Sequence, residues 1–296
     1  MPAAEAPPPL TADAAPVAVL VDYDGTISRH DIGDLLLDRH VTDRAALARL
    51  DAAYDAGTMG SRDLIRWDMD VLPDPPDGLI AEAAAVPQDA GFADLVRVTR
   101  ARGGIVEIVS DGLGFYIESN LRRLGLDDVA IATNRNALRG GGAGVDFPYG
   151  HPACLVCGTC KRERVRAHQA AGRVVVFVGD GPSDRYAMHH ADVAFATGRL
   201  LQFCRRAGYP AIAWTELREV AAWVEVALTD GTLPASAAEV PAWRAARRTA
   251  TGGDTRPAFI CGPEQWGPGR SVPPPPGDAP AIAIPARGPA GAPDGA

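Results

Sequence analysis

Val17-Ala-Val-Leu-Val-Asp22-Tyr-Asp-Gly-Thr26 is the stretch on which the reading of the fold turns. Its five apolar, mostly β-branched residues predict a buried strand, and the polar residues after them predict a loop leaving its carboxyl end. Asp22 and Asp24 stand two apart, so at a strand end both side chains project to the same side. Two carboxylates facing one site repel, and one is forced toward protonation unless a cation intervenes. A hard cation that takes oxygen ligands, most simply Mg²⁺, would relieve the repulsion.

Similar apolar runs recur downstream at Gly104–Ser110, Val129–Thr133, Arg173–Gly179 and Asp192–Thr197. Helix-compatible patterns lie between them at Phe92–Arg102, Tyr116–Leu124, Lys161–Ala171, Ser183–His189 and Glu216–Leu228. Strands alternating with helices predict an α/β fold, a doubly wound parallel sheet with crossover helices. The interval 31–86 breaks the alternation with three helical patterns, Ile32–Arg39, Asp43–Ala56 and Ser61–Val71, and is expected to form a small helical cap inserted after the first strand. The catalytic core is then 17–30 with 87–230. The flanks, 1–16 and 231–296, are rich in Pro, Ala and Gly and are expected to be disordered, with the latter dispensable for folding.

Ligands of open parallel sheets bind beyond the carboxyl ends of the strands. Three predicted strands end there in Asp22 and Asp24, in Ser110 and Asp111, and in Asp180 with Asp184 nearby. Asp180 is placed as a third oxygen ligand for the cation. Gly25 and Gly181 let the backbone approach an anion closely. Lysine and arginine together number 29, and Lys161 is the only lysine. A lone lysine in an arginine-rich chain marks a position that needs a compact ammonium rather than a planar fork.

Asp-x-Asp-Gly-Thr, Val-Ser-Asp-Gly, a single lysine and Gly-Asp-Gly-x-Ser-Asp, in that order and each at a strand end or helix start, resemble the four motifs of the haloacid-dehalogenase superfamily phosphatases. The resemblance spans about Val17 to Leu228. It implies a Rossmann-like core and a Mg²⁺-dependent phosphomonoesterase acting on a small phosphorylated metabolite. By the same resemblance Asp22 is the nucleophile that becomes an aspartyl-phosphate, and Asp24 is the acid and base. Ser110, Gly112 and Lys161 hold phosphate. Asp22, Asp180 and the Asp24 backbone carbonyl bind the metal, and Asp184 orients a metal-bound water or Lys161. An acid at Asp24 favours phosphate-ester chemistry over dehalogenation, although a phosphomutase would keep it too. A non-catalytic binding protein on this fold would be expected to have lost one of Asp22, Asp24, Lys161 or Asp180, and all are present.

The insertion between the first two motifs is similar to that of the phosphoserine-phosphatase-like branch. The run Phe147–Lys161 and Asp31 look like the methionine-salvage phosphatases acting on 2-hydroxy-3-keto-5-methylthiopentenyl-1-phosphate. Phosphoserine phosphatases differ in carrying a glutamate in place of Asp31 and an arginine-containing cap motif not found around Ser61–Met69. Phosphoserine, another amino-alcohol phosphate or a substrate of an unassigned pathway are the alternatives. Asp31 and His30, where the cap begins, are the candidate specificity residues.

His151, Cys154, Cys157 and Cys160, each separated from the next by two residues, offer four ligands for Zn²⁺. Crowding all four around one tetrahedral ion would strain so short a loop, and the competing reading is a thiol-lined loop that places Lys161. Asp111 reads as a cap of the following helix or as a residue that shapes the loop, rather than as a substrate contact. The net charge of −8 argues against nucleic acid as a partner. Neither a leader-like N-terminus nor a membrane-length apolar run is seen, so a cytoplasmic monomer or homodimer is expected. The odd number of cysteines, five, does not suggest a secreted disulfide framework.

Overall fold

A computed structural model describes residues 5–11, 14–73, 77–139, 142–250, 261 and 268–272. Strand β1 (Val17–Val21) is buried along its whole length because it runs through the middle of a seven-stranded sheet, where both of its faces are covered. β2 (Ile105–Leu113) and β5 (Val174–Gly179) flank it in parallel. Outside them lie β3 (Ala130–Arg139) on one side, and β6 (Val193–Ala196) and β7 (Ile212–Ala213) on the other, all parallel. β4 (Gly142–Asp146) pairs antiparallel with β3 at the edge, giving the order β4-β3-β2-β1-β5-β6-β7. The doubly wound parallel sheet is therefore as expected, with an antiparallel hairpin added at one edge. β4 escaped the sequence reading because its Gly-rich sequence has no apolar periodicity to announce it.

Within 31–86 the described residues form four helices: α1 (Ile32–His40), α2 (Arg44–Asp55), α3 (Ser61–Val71) and α4 (Asp77–Ala84). Asp31 and Asp43 accept from the amides of Asp34 and Ala46 and so cap the first two. α3 packs on β4, and α4 on α6 (Gly114–Leu124). The crossovers are completed by α5 (Gly91–Arg100), α7 (Lys161–Ala170), α8 (Arg185–His190) and α9 (Gly198–Ala207), and α10 (Leu217–Ala227), which follows the last strand, packs on α5.

α7 is fixed to the sheet by buried charge. Glu107 on β2 takes two bonds from Arg164, at 2.8 and 3.0 Å, and lies 2.5 Å from His168 Nε2. Burial alone would push this carboxyl up, but His168 and Arg164 outweigh it and hold Glu107 below its ordinary value. Since Lys161 is the first residue of α7, this network also sets where the lysine begins.

Both flanks depart from the expected disorder where they are described. Leu233 and Val240 are buried, and α11 (Val240–Ala250) is joined to the core by Arg244, which pairs with Asp192 at 2.7 Å and donates to the Arg173 carbonyl. Further on, the Gly269 amide donates to Ala153 at 2.8 Å and the Leu155 amide to Arg270 at 2.7 Å, so the tail pairs with the cysteine loop. At the N-terminus the Glu5 and Pro8 carbonyls accept from Arg164 and Arg173. These contacts use backbone groups and scattered side chains, which leave no periodic signature in the sequence. Pro273–Pro276 lie outside the described residues. Among the described residues no helix is long and apolar enough to cross a membrane.

Candidate active site

The site lies at the carboxyl ends of β1, β2 and β5, where a cavity of about 520 Å³ opens between the sheet and α1–α3. Its floor includes Asp22, Asp24, Ser110, Gly112, Asp180 and Gly181. Lys161 lies beneath, 2.7 Å from Asp22 Oδ1 and 2.7 Å from Asp184 Oδ1, with its side chain 2% exposed. Asp184 is fully enclosed: one oxygen takes the lysine, and the other accepts the amides of Asp180 at 3.0 Å and Gly181 at 2.9 Å. Thr26 donates its hydroxyl to Asp180 at 2.9 Å.

Carboxylate oxygens of Asp22, Asp180 and Asp184 lie within 4.8 Å of one another. Burial, with Asp184 adjacent, pushes Asp22 well above the usual carboxylate range despite Lys161, and the same two causes take Asp180 up to about 7. This is the electrostatic state of acids short of positive charge. The donor set is all hard oxygen, which fits Mg²⁺. Gly25 has φ +75°, and any side chain on it would run into the Asp180 carboxylate. Gly112 likewise leaves room for Asp24 and Tyr116, which a Cβ would strike.

Asp24 turns away from this cluster. Its oxygens accept the Ile32 amide at 3.0 Å and the Tyr116 hydroxyl at 2.6 Å. Burial first, then the nearby Asp31, raises its pKa well above the ordinary value. The Gly112 amide donates to the Ser110 hydroxyl at 2.9 Å, so these two groups stand side by side at the site. Asp22, Asp24, Ser110, Gly112, Lys161, Asp180 and Asp184, scattered over more than 160 positions of sequence, are thus brought together.

Asp31 and His30 fare differently. Asp31 lines the cavity, but it is exposed and its Oδ1 caps α1 through the Asp34 amide at 2.9 Å. His30 is exposed and does not line the cavity. Asp111 does not cap α6, whose N-cap is Leu113 with no side-chain bond. Its carboxylate instead binds Ser61 and the Thr159 amide. Of the two readings of His151, Cys154, Cys157 and Cys160, the zinc site finds no support, because these side chains do not converge. Among the described residues the three aspartates form the only cluster of metal-ligating side chains, and His151 Nδ1 accepts from the Ala153 amide. None of the five cysteines is in a disulfide.

Tyr116, Thr26, Ser61 and Thr159 were not anticipated. Tyr116 carried a faint signal, six residues after Ser110 in the first turn of the helix that follows the second motif. The hydroxyls of Ser61 and Thr159 carried none.

The model for haloacid dehalogenase-like hydrolase matches residues 19–189, more than half of the chain. A 2-hydroxy-3-keto-5-methylthiopentenyl-1-phosphate phosphatase of Exiguobacterium sibiricum is 27% identical over 205 residues, covering 67% of this chain and 90% of that protein. One of the same name from another Exiguobacterium strain is 24% identical over 217 residues, covering 70% and 96%. Among solved structures, the phospho-aspartyl intermediate analogue of phosphoserine phosphatase superposes with a TM-score of 0.54 at 18% identity, over 71% of this chain and 99% of that one. A phosphoserine phosphohydrolase-like protein from Francisella tularensis gives 0.54 at 17% identity, over 70% and 98%. These structural likenesses establish the fold. With its motifs gathered at one end of that fold and the family model spanning all four of them, the chain belongs to the haloacid dehalogenase-like hydrolases.

Proposed function

We propose that this hydrolase is a Mg²⁺-dependent phosphomonoesterase that works through an aspartyl-phosphate on Asp22. One observation carries the reading: Lys161 bridges Asp22 and Asp184 under a cavity whose floor also holds Asp24 and Asp180. Asp22 and Asp180, with the Asp24 backbone carbonyl, would hold the metal, and Asp184 would orient a metal-bound water and Lys161. Bound Mg²⁺ supplies positive charge that offsets the carboxylates and the phosphoryl oxygens.

An Asp22 oxygen attacks phosphorus, forming an O–P bond as the ester O–P bond breaks. Asp24, whose pKa is raised by burial and which is held in place by Tyr116 and Ile32, gives a proton to the departing alkoxide. As a carboxylate it then takes a proton from water, whose oxygen attacks phosphorus and frees Asp22. Ser110 donates to the phosphoryl oxygens, joined by the Gly112 amide as it turns from the Ser110 hydroxyl to the substrate, and Lys161 balances charge on Asp22 throughout.

For the substrate, the curated relatives are named for 2-hydroxy-3-keto-5-methylthiopentenyl-1-phosphate, and we propose this ester, hence a step of methionine salvage. Segment 31–86 acts as the cap that supplies selectivity. Its Leu37, Leu47, Leu64, Ile65 and Leu72 line the cavity and would receive the apolar methylthio end. An amino-alcohol phosphate is the second reading, favoured by Asp31, Asp34, Asp38, Asp51 and Asp68 on the same walls. Phosphoserine is disfavoured, because its carboxylate would meet these acids. The described lining has one arginine, Arg199, already bound to Asp55 at 2.6 Å.

The test is hydrolysis of p-nitrophenyl phosphate and a panel of phosphorylated metabolites with and without Mg²⁺, using Asp22→Asn as control. Mg²⁺-dependent turnover is expected, together with loss of more than about 1,000-fold in a folded Asp22→Asn protein. Metal-independent turnover, or an active Asp22→Asn variant, would refute the mechanism.

A further inference from the structure

We infer that Asp111 is a positioning residue whose single carboxylate latches the cap to the loop that presents Lys161, so that cap and lysine are placed together. Asp111 Oδ2 accepts the Ser61 hydroxyl at 2.7 Å, and Oδ1 accepts the Thr159 amide at 2.6 Å. Ser61 opens α3, whose Leu64, Ile65 and Asp68 line the cavity. Thr159 stands two residues before Lys161, and its carbonyl accepts the Lys161 amide at 3.0 Å. One residue thus touches both the cap helix above the site and the lysine loop below it.

Surrounding bonds converge on the same junction. The Gly158 amide donates to the Ser61 hydroxyl at 3.3 Å. Asn134 donates to the Asp111 carbonyl at 2.7 Å, and its own side-chain oxygen accepts the Thr159 hydroxyl at 3.3 Å. From α3, the Arg62 amide donates to Val156 at 3.1 Å and the Arg62 Nε to Cys157 at 3.0 Å. Gly60, the N-cap of α3, has no side chain to offer the helix end, and the Ser61 hydroxyl next to it is given to Asp111. A carboxylate is needed because each of its oxygens serves as an acceptor for a different element, and bonds to an ionised acceptor are about twice as strong as neutral ones.

Chemistry separates the two halves of the latch. Asp111→Asn keeps an oxygen for the Thr159 amide but presents an NH₂ to Ser61, whose hydroxyl can then only accept, so a charge-assisted bond gives way to a weaker neutral one. Ser61→Ala removes the same half from the other side. Asp111→Ala removes both halves.

The kinetic arm rests on the phosphatase reading and follows kcat and KM for p-nitrophenyl phosphate at saturating Mg²⁺. Ser61→Ala and Asp111→Asn are each expected to raise KM about 10-fold, as for loss of one charge-assisted bond, with kcat within about 3-fold. The double variant should be no worse than either single one. Asp111→Ala should in addition lower kcat by about 10-fold or more, because the lysine loop is released. Should that variant fail to fold, the other two carry the test.

Amide hydrogen exchange reads the latch without catalysis, and 61–68 and 156–161 should exchange faster together in Ser61→Ala. The inference is overturned if Ser61→Ala and Asp111→Asn leave KM within 2-fold of wild type, or if only one of the two segments loosens. Wild-type protein inactive on p-nitrophenyl phosphate would instead refute the phosphatase reading, and the exchange result would still decide the latch.

Discussion

Arginine in place of Lys161 conserves charge and should nevertheless disable the site. The lysine Nζ sits 2.7 Å from a carboxylate oxygen of Asp22 and 2.7 Å from one of Asp184, in a position that is 2% exposed. An ammonium meets both as a point charge. A guanidinium spreads its donors over a rigid plane and is longer, so it must push Asp22 or Asp184 aside by about 1 Å. Misplacement of that size in a reacting group costs about 100-fold in rate, or about 2.7 kcal/mol of transition-state stabilisation. Displacing Asp184 would also disturb its bonds from the Asp180 and Gly181 amides, so the loss should fall on kcat more than on KM. The assay is Mg²⁺-supported hydrolysis of p-nitrophenyl phosphate by Lys161→Arg, with thermal melting to confirm that the protein is folded. A kcat/KM within 3-fold of wild type would refute both the placement argument and the significance attached to the only lysine.

Truncation after Gly231 should destabilise the protein, because it removes buried Leu233 and Val240, worth about 1.5 to 3 kcal/mol each, and the Arg244–Asp192 pair. A melting temperature lower by about 10 °C or more is expected in calorimetry, and an unchanged one would show that α11 contributes nothing. Glu107→Gln should cost about 3 to 5 kcal/mol at neutral pH by leaving Arg164 buried without its anion. Since Glu107 has a lowered pKa in the folded state, its contribution is present above the unfolded value of about 4.3 and is lost as pH falls through the folded one. Denaturant unfolding at a series of pH values should therefore show the gap between wild type and Glu107→Gln narrowing below about pH 4. A gap that persists or widens in acid would contradict the pairing.

Much of the core and the floor of the site was legible in the sequence. β1, with Asp22 and Asp24 at its end, is a buried central strand, so its apolar run and polar exit are written in consecutive residues. Asp180, Asp184 and Lys161 were legible for the same reason: each stands at a strand end or helix start, where local pattern and chemical function coincide. Tertiary structure alone decided which groups surround them. Tyr116 reaches Asp24 across 92 positions, and Ser61 reaches Asp111 across 50. Neither hydroxyl lies in a periodic pattern that distinguishes it from a surface residue. The same holds for α11 and the tail at 268–272, which are held by an ion pair and by backbone bonds to distant loops. Asp111 is the clearest case. Its neighbours in sequence suggest a helix cap, and its neighbours in space make it a junction between two elements. Local sequence encodes backbone preference and burial period, whereas the partner of a polar side chain is set by how distant segments pack, because a hydrogen bond depends on distance and direction rather than on separation along the chain.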